Sequence, residues 1–197
     1  WRYGLSRLGL ASIAAGIFFA LFSKGGGFRG EIPSFSHLQS ILSGSQFWLM
    51  AALFGLAIGS SMGIFKMLPL YLVTEKGLDR NWANMLISLS RISTLFMVVA
   101  AGWMADRLGA RKTLIFVVFF SGTATALIGV ASDVWLAPVI FLQSAMIVCF
   151  FPVGFAVLSR LSPPPLRNVT ISVTILIAYL TGAGVVPVLI GLAGEYG

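Results

Sequence analysis

The chain has 197 residues, 58% of them hydrophobic and only 10% charged, with a mean hydropathy of +0.97; soluble domains carry about 25% charged residues, so a water-soluble globule is excluded. The net charge of +7 comes from thirteen Lys and Arg scattered between apolar runs rather than clustered on one wettable face, which argues against a nucleic-acid partner. At about 20 apolar residues per crossing plus a loop, the length allows roughly six bilayer crossings and little else.

In chain order the apolar runs predict six membrane helices: Tyr3 to Phe22, Phe47 to Val73, Asn81 to Met104, Thr113 to Ala131, Val134 to Leu158 and Val169 to Leu192. The fold class is therefore an all-α polytopic bundle. Arg2 and Arg7 before an apolar run resemble a signal peptide, but there is no initiator Met, and five further spans make that reading unnecessary. The connector after the first span carries the run Gly25, Gly26, Gly27. Leu38, Ile41 and Leu42 then recur at helical spacing after Pro33 and Ser34, which predicts a short helix on the membrane surface, with His37 as a solvated residue beside it.

Alternation of the spans sorts the basic residues by face. Lys24, Arg29, Arg107, Arg111, Lys112, Arg160 and Arg167 share one end of the bundle; Arg2, Arg7, Lys76 and Arg80 share the other. The richer face is assigned to the cytoplasm. Trp1 and Gly197 then lie outside, and a chain opening with Trp on the outer face is read as a fragment with something missing upstream.

All six acids, Glu31, Glu75, Asp79, Asp106, Asp133 and Glu195, fall in loops or at span ends, whereas Lys66 and Arg91 lie within the second and third spans. A cation at the centre of a membrane helix costs about 2.5 to 3.5 kcal/mol on insertion scales. Counted from the outer ends, the two lie about 10 and 15 Å deep at 1.5 Å per residue, so they can share one layer. Asn81, Asn84, Ser88 and Arg91 form one stripe of the third helix. In the second, Gly55, Gly59 and Gly63 form a ridge whose stripe continues to Lys66. Such stripes suit a cavity wall. Arg91 is expected as the main substrate contact, Lys66 as its assistant and Asn84 and Ser88 as hydrogen-bond partners. Gln143 and Tyr179 are further candidate substrate contacts; with Cys149 and Thr181 they serve equally as helix–helix contacts. Phe150, Phe151 and Phe155 read as packing.

The loop between the third and fourth spans reads Gly102, Trp103, Met104, Ala105, Asp106, Arg107, Leu108, Gly109, Ala110, Arg111, Lys112. It resembles the cytoplasmic signature of the major facilitator superfamily, roughly G-x-x-x-D-R-x-G-x-R-[KR], in the copy between the eighth and ninth helices. By that resemblance residues 1–24 correspond to the sixth helix, 25–46 to the link between the two halves, and 47–197 to the second half without its last helix. Gly182, Gly184, Pro187 and Gly191 match the glycine-proline pattern of the eleventh helix only loosely. The resemblance implies alternating access, with Gly102, Asp106, Arg107, Gly109, Arg111 and Lys112 in a gate whose acid faces the missing half. Physically, Gly102 would let a neighbouring helix approach, and the basic residues would hold the loop at the anionic inner leaflet.

Two cations without an intramembrane carboxylate favour a small anion as the solute. The alternative is a permease or drug exporter of neutral or cationic compounds, whose acid the missing half would supply; a channel or structural role fits the gate-like loop poorly. One His, one Cys and only peripheral acids assemble no catalytic set, so no enzyme activity is expected. Cys149 alone supports no internal disulfide or metal cluster, and no cofactor or metal is implied. The expected partners are a small-molecule substrate, the lipid bilayer and the missing first half. The expected location is the cell membrane.

Overall fold

The computed structural model describes residues 2–23 and 35–196. Lys24, Gly25, Gly26, Gly27, Arg29, Glu31, Pro33 and Ser34 lie outside the described residues, as does the side chain of His37. The chain forms two compact units, Trp1–Ile32 and Pro33–Gly197. In the first, helix α1 (Arg2–Phe22) contains one apolar segment of membrane length, Tyr3–Phe22.

The second unit begins with the short helix α2 (Phe35–Ser43), whose backbone includes His37, and the break at Gly44. Five apolar segments long enough to cross a bilayer follow: Ser45–Thr74, Arg80–Leu108, Ala110–Val130, Asp133–Leu161 and Pro164–Gly194. With Tyr3–Phe22 they make six, each within a few residues of its position in the sequence reading. At 1.5 Å per residue a 29-residue helix is about 44 Å long, enough to cross a hydrocarbon core of about 30 Å with a tilt.

Local chemistry sets the ends. Gly77, at φ +64°, turns the chain after the second span. Asp79 then caps α5 (Arg80–Leu108), its Oδ2 accepting from the backbone N–H groups of Asn81 at 2.8 Å and Trp82 at 3.1 Å. A carboxylate suits the positive end of a helix. Gly109, at φ +88°, is the single residue between α5 and α6 (Ala110–Val130), a conformation that favours glycine over any residue with a Cβ. Ala131 and Ser132 separate α6 from α7 (Asp133–Leu161), which carries Pro138 and Pro152 internally and stops before Pro163.

Helix α7 is the centre of this unit. It packs extensively on α5 and α6, and its buried face includes Ile140, Gln143, Ile147, Phe150 and Val153. Two polar contacts bind α7 to α5: the Ser144 and Ser90 hydroxyl oxygens lie 3.0 Å apart, and the Cys149 thiol donates to the Met97 carbonyl at 3.2 Å. Such interhelical bonds in a membrane contribute on the order of 0.6 kcal/mol each. Phe54 of the second span sits among Phe150, Phe151 and Phe155, with ring centroids 4.9, 6.5 and 5.0 Å away. These aromatics are packing residues. Leu95, Phe96 and Val99 on α5 and Phe119 on α6 are exposed, as side chains facing lipid should be.

The second and sixth spans depart from the sequence reading of uninterrupted α-helices. The second is α3 (Ser45–Ile58), a π-helical turn Gly59–Ile64, and α4 (Phe65–Thr74). The sixth is α8 (Arg167–Tyr179), a π-helical turn Leu180–Val185, and α9 (Val186–Tyr196). The two wide turns face each other. At the crossing, a Cβ on Gly182 would run into the Gly55 carbonyl oxygen and lie 2.8 Å from the Gly59 nitrogen, and one on Gly59 would lie 2.8 Å from a Val186 methyl. The glycine ridge is thus a helix-packing surface. It ends at Gly63, which faces Val186 and Pro187; Lys66 departs from that stripe. A π turn inserts extra backbone and rotates whatever follows it, so a stripe extrapolated at α-helical spacing loses its register there.

Candidate functional site

The rotation after the π turn sets up the site. Phe65 and Lys66 open α4 immediately beyond Ile64, and together with Ser61, Met62 and Arg91 they line a cleft of about 260 Å³ between the second and third spans. At about 30 Å³ per water this space equals eight or nine waters, which fits a small solute. Sequence position alone put Lys66 and Arg91 in one layer; the structure puts them on one cleft.

Arg91 is held by a ring. Its guanidinium carbon lies 4.4 Å from the centroid of Phe65, which is itself 8% exposed and part of the core. Among the described residues the guanidinium makes no hydrogen bond or ion pair, and neither does the Lys66 ammonium. A cation over an aromatic face is attracted by the ring quadrupole, with about 0.5 to 2 kcal/mol depending on desolvation. A ring contact leaves the charge uncancelled and leaves guanidinium N–H donors without a hydrogen-bond acceptor among the described residues.

The other candidate residues divide. Asn84 and Ser88 are exposed on the same face of α5, two turns and one turn before Arg91, but neither lines the cleft, and the Ser88 hydroxyl is engaged with the Asn84 carbonyl at 2.8 Å. Gln143 is 1% exposed within the bundle, and its Nε2 has no hydrogen-bond partner among the described residues. Tyr179 is 45% exposed at the end of α8, away from the cleft lining. Thr181 is a helix contact: its hydroxyl donates to the Ile177 carbonyl at 2.9 Å beside Gly55. Sequence reasoning missed Phe65, Ser61 and Met62. An aromatic residue next to an intramembrane lysine was the available signal, but direction after the π turn was not readable.

The second cluster lies at the junction of α5 and α6. Asp106 is exposed in the last turn of α5 and has no partner among the described residues; Arg107 instead stacks on Trp103, its guanidinium carbon 5.5 Å from the ring centroid. Arg111 and Lys112 are exposed in the first turn of α6. Gly109 makes the turn. Gly102 is half-buried one turn before Asp106, and a Cβ there would meet nothing within 4 Å among the described residues.

At the opposite end of the bundle, the Lys76 ammonium donates to the Ala131 carbonyl at 3.0 Å and the Tyr71 hydroxyl to the Ile128 carbonyl at 3.2 Å. These bonds tie the end of the second span to the end of α6, where helix carbonyls lack internal partners.

No curated protein and no solved structure matches the chain. The sequence profile of the Major Facilitator Superfamily matches residues 1–187. With that match over nearly the whole chain, the six membrane-length helices and the Asp106–Arg107 loop already described, the chain belongs to the Major Facilitator Superfamily, a family of integral-membrane secondary transporters.

Proposed function

We propose that this transporter moves a small anion, such as a carboxylate, a phosphate ester or an inorganic oxyanion, across the cell membrane by alternating access. The observation that carries the reading is the pair of intramembrane cations on one cleft, with no carboxylate in any described span away from its ends. Two like charges on one cleft repel, the more so as they leave water. A bound anion relieves that repulsion and part of each desolvation cost, whereas a bound cation adds to both. Arg91 is the main contact, through its guanidinium N–H groups, and Lys66 supplies a second positive charge. Asn84 and Ser88 offer polar groups along the approach on α5.

On the same reading residues 1–24, 25–46 and 47–197 act as a sixth helix, an inter-half link and a second-half bundle, and Asp106 belongs to a latch that closes the basic end against the other half. An acid in the last turn of a helix opposes the helix dipole. Its lack of a partner among the described residues supports a partner elsewhere.

The reading is tested by uptake of labelled phosphate, sulfate and succinate into liposomes holding the full-length protein, against glucose and choline. Saturable uptake of at least one anion, competed by the others and not by glucose or choline, is expected. Uptake of choline or glucose with no anion transported contradicts it.

A further inference from the structure

We propose that Phe65 is a positioning residue for anion recognition: its ring holds the Arg91 guanidinium at the cleft. The inference rests on the anion reading of the cleft and adds to it the device that orients the cation. A long arginine side chain loses considerable rotamer freedom when it grips a ligand, and the loss is smaller when the planar fork is already held. Among the described residues nothing acidic holds it. Among the described residues the one partner of the Arg91 guanidinium is the Phe65 ring, 4.4 Å below it. The ring is itself fixed, being 8% exposed in the core and at the first position after the π turn that directs it toward α5.

Such an arrangement has a chemical consequence. A carboxylate partner would fix the guanidinium equally well but would occupy its N–H edge and cancel its charge. A ring leaves the charge uncancelled. The preferred ligand is one that presents two oxygens to the guanidinium, as a carboxylate or a phosphate does. Lys66, the next residue after Phe65, adds a charge without a fixed direction.

The test replaces Phe65 in the full-length protein by phenylalanines bearing one, two and three ring fluorines, which weaken the negative face of the ring at nearly constant size. Succinate and inorganic phosphate are the probes, with binding measured on purified protein. Affinity should fall stepwise along the series, about five- to thirty-fold in total, while the melting temperature stays nearly constant. Phe65→Tyr should bind nearly as the wild type. A second readout needs no ligand: the Arg91 Nε–H proton should be shifted by the ring current of Phe65 and lose that shift in Phe65→Leu. A flat affinity series in a protein whose binding is lost in Arg91→Ala leaves the anion reading standing and overturns the positioning role. Binding unchanged in Arg91→Ala overturns the anion reading and the positioning role with it. If neither probe binds the wild type, the anion reading fails, and an Arg91 proton without a ring-current shift overturns the positioning role independently.

Discussion

Arg91 carries its charge about 15 Å from the start of α5 at 1.5 Å per residue, a depth at which insertion costs about 2.5 to 3.5 kcal/mol. Stacking on Phe65 offsets a part of that, on the order of 1 kcal/mol. The remainder is the energetic reason to expect an anion. Lys66, one position beyond Phe65, is less constrained, and Lys66→Ala should weaken anion binding by about ten-fold without abolishing it, a change of about 1.4 kcal/mol measurable by titration. Gln143 poses the opposite case. Its Nε2 is buried without a partner among the described residues, which costs about 1 to 3 kcal/mol. Gln143→Leu keeps the volume and removes the orphaned group, so the melting temperature in detergent should rise. A fall would show that the amide has a partner in the native protein.

Among the elements, the paired π turns are where sequence reading and structure part. Gly55, Gly59 and Gly63 were legible as a small-residue ridge because their spacing is simple, and the ridge does pack as helices with close backbones must. What spacing could not show is that the helix widens at Gly59, because a π turn has no fixed residue pattern. Lys66 consequently turns to α5 instead of continuing the ridge. Spans, loops and the Asp106 loop were readable because hydropathy and glycine punctuation act locally. The Phe65–Arg91 stack was not, because it depends on the direction of one element against another. The crossing also yields a comparison within one helix. Gly182→Ala sets a methyl against the backbone of Gly55 and Gly59 and should cost about 1 to 3 kcal/mol, as overpacking does. Gly184, two residues on, faces open space, and Gly184→Ala should be tolerated. Equal melting temperatures for the two variants would contradict the close crossing.

For the molecule as a whole, the proposed alternating access would expose the cleft to each side in turn, and the two ends of the bundle differ in how they are fastened. At the Lys76 and Tyr71 end, hydrogen bonds tie the second span to the end of α6. The end at Asp106 presents an unpartnered acid and exposed basic residues. Asp106→Asn removes the charge at nearly constant shape, so transport by the full-length protein should fall by about ten-fold or more while equilibrium binding stays within a few-fold; equal loss of both would refute the latch. Arg107→Ala should have a smaller effect, because Arg107 stacks on Trp103 and has Arg111 and Lys112 nearby.

The account stands on Arg91 as the anion contact. The most direct measurement is succinate and phosphate binding by purified, folded Arg91→Ala and Arg91→Lys proteins beside the wild type. Loss of binding in Arg91→Ala and weakened binding in Arg91→Lys are expected, since lysine keeps the charge but not the planar fork. Wild-type affinity in both variants would show that Arg91 is structural and would contradict the anion assignment.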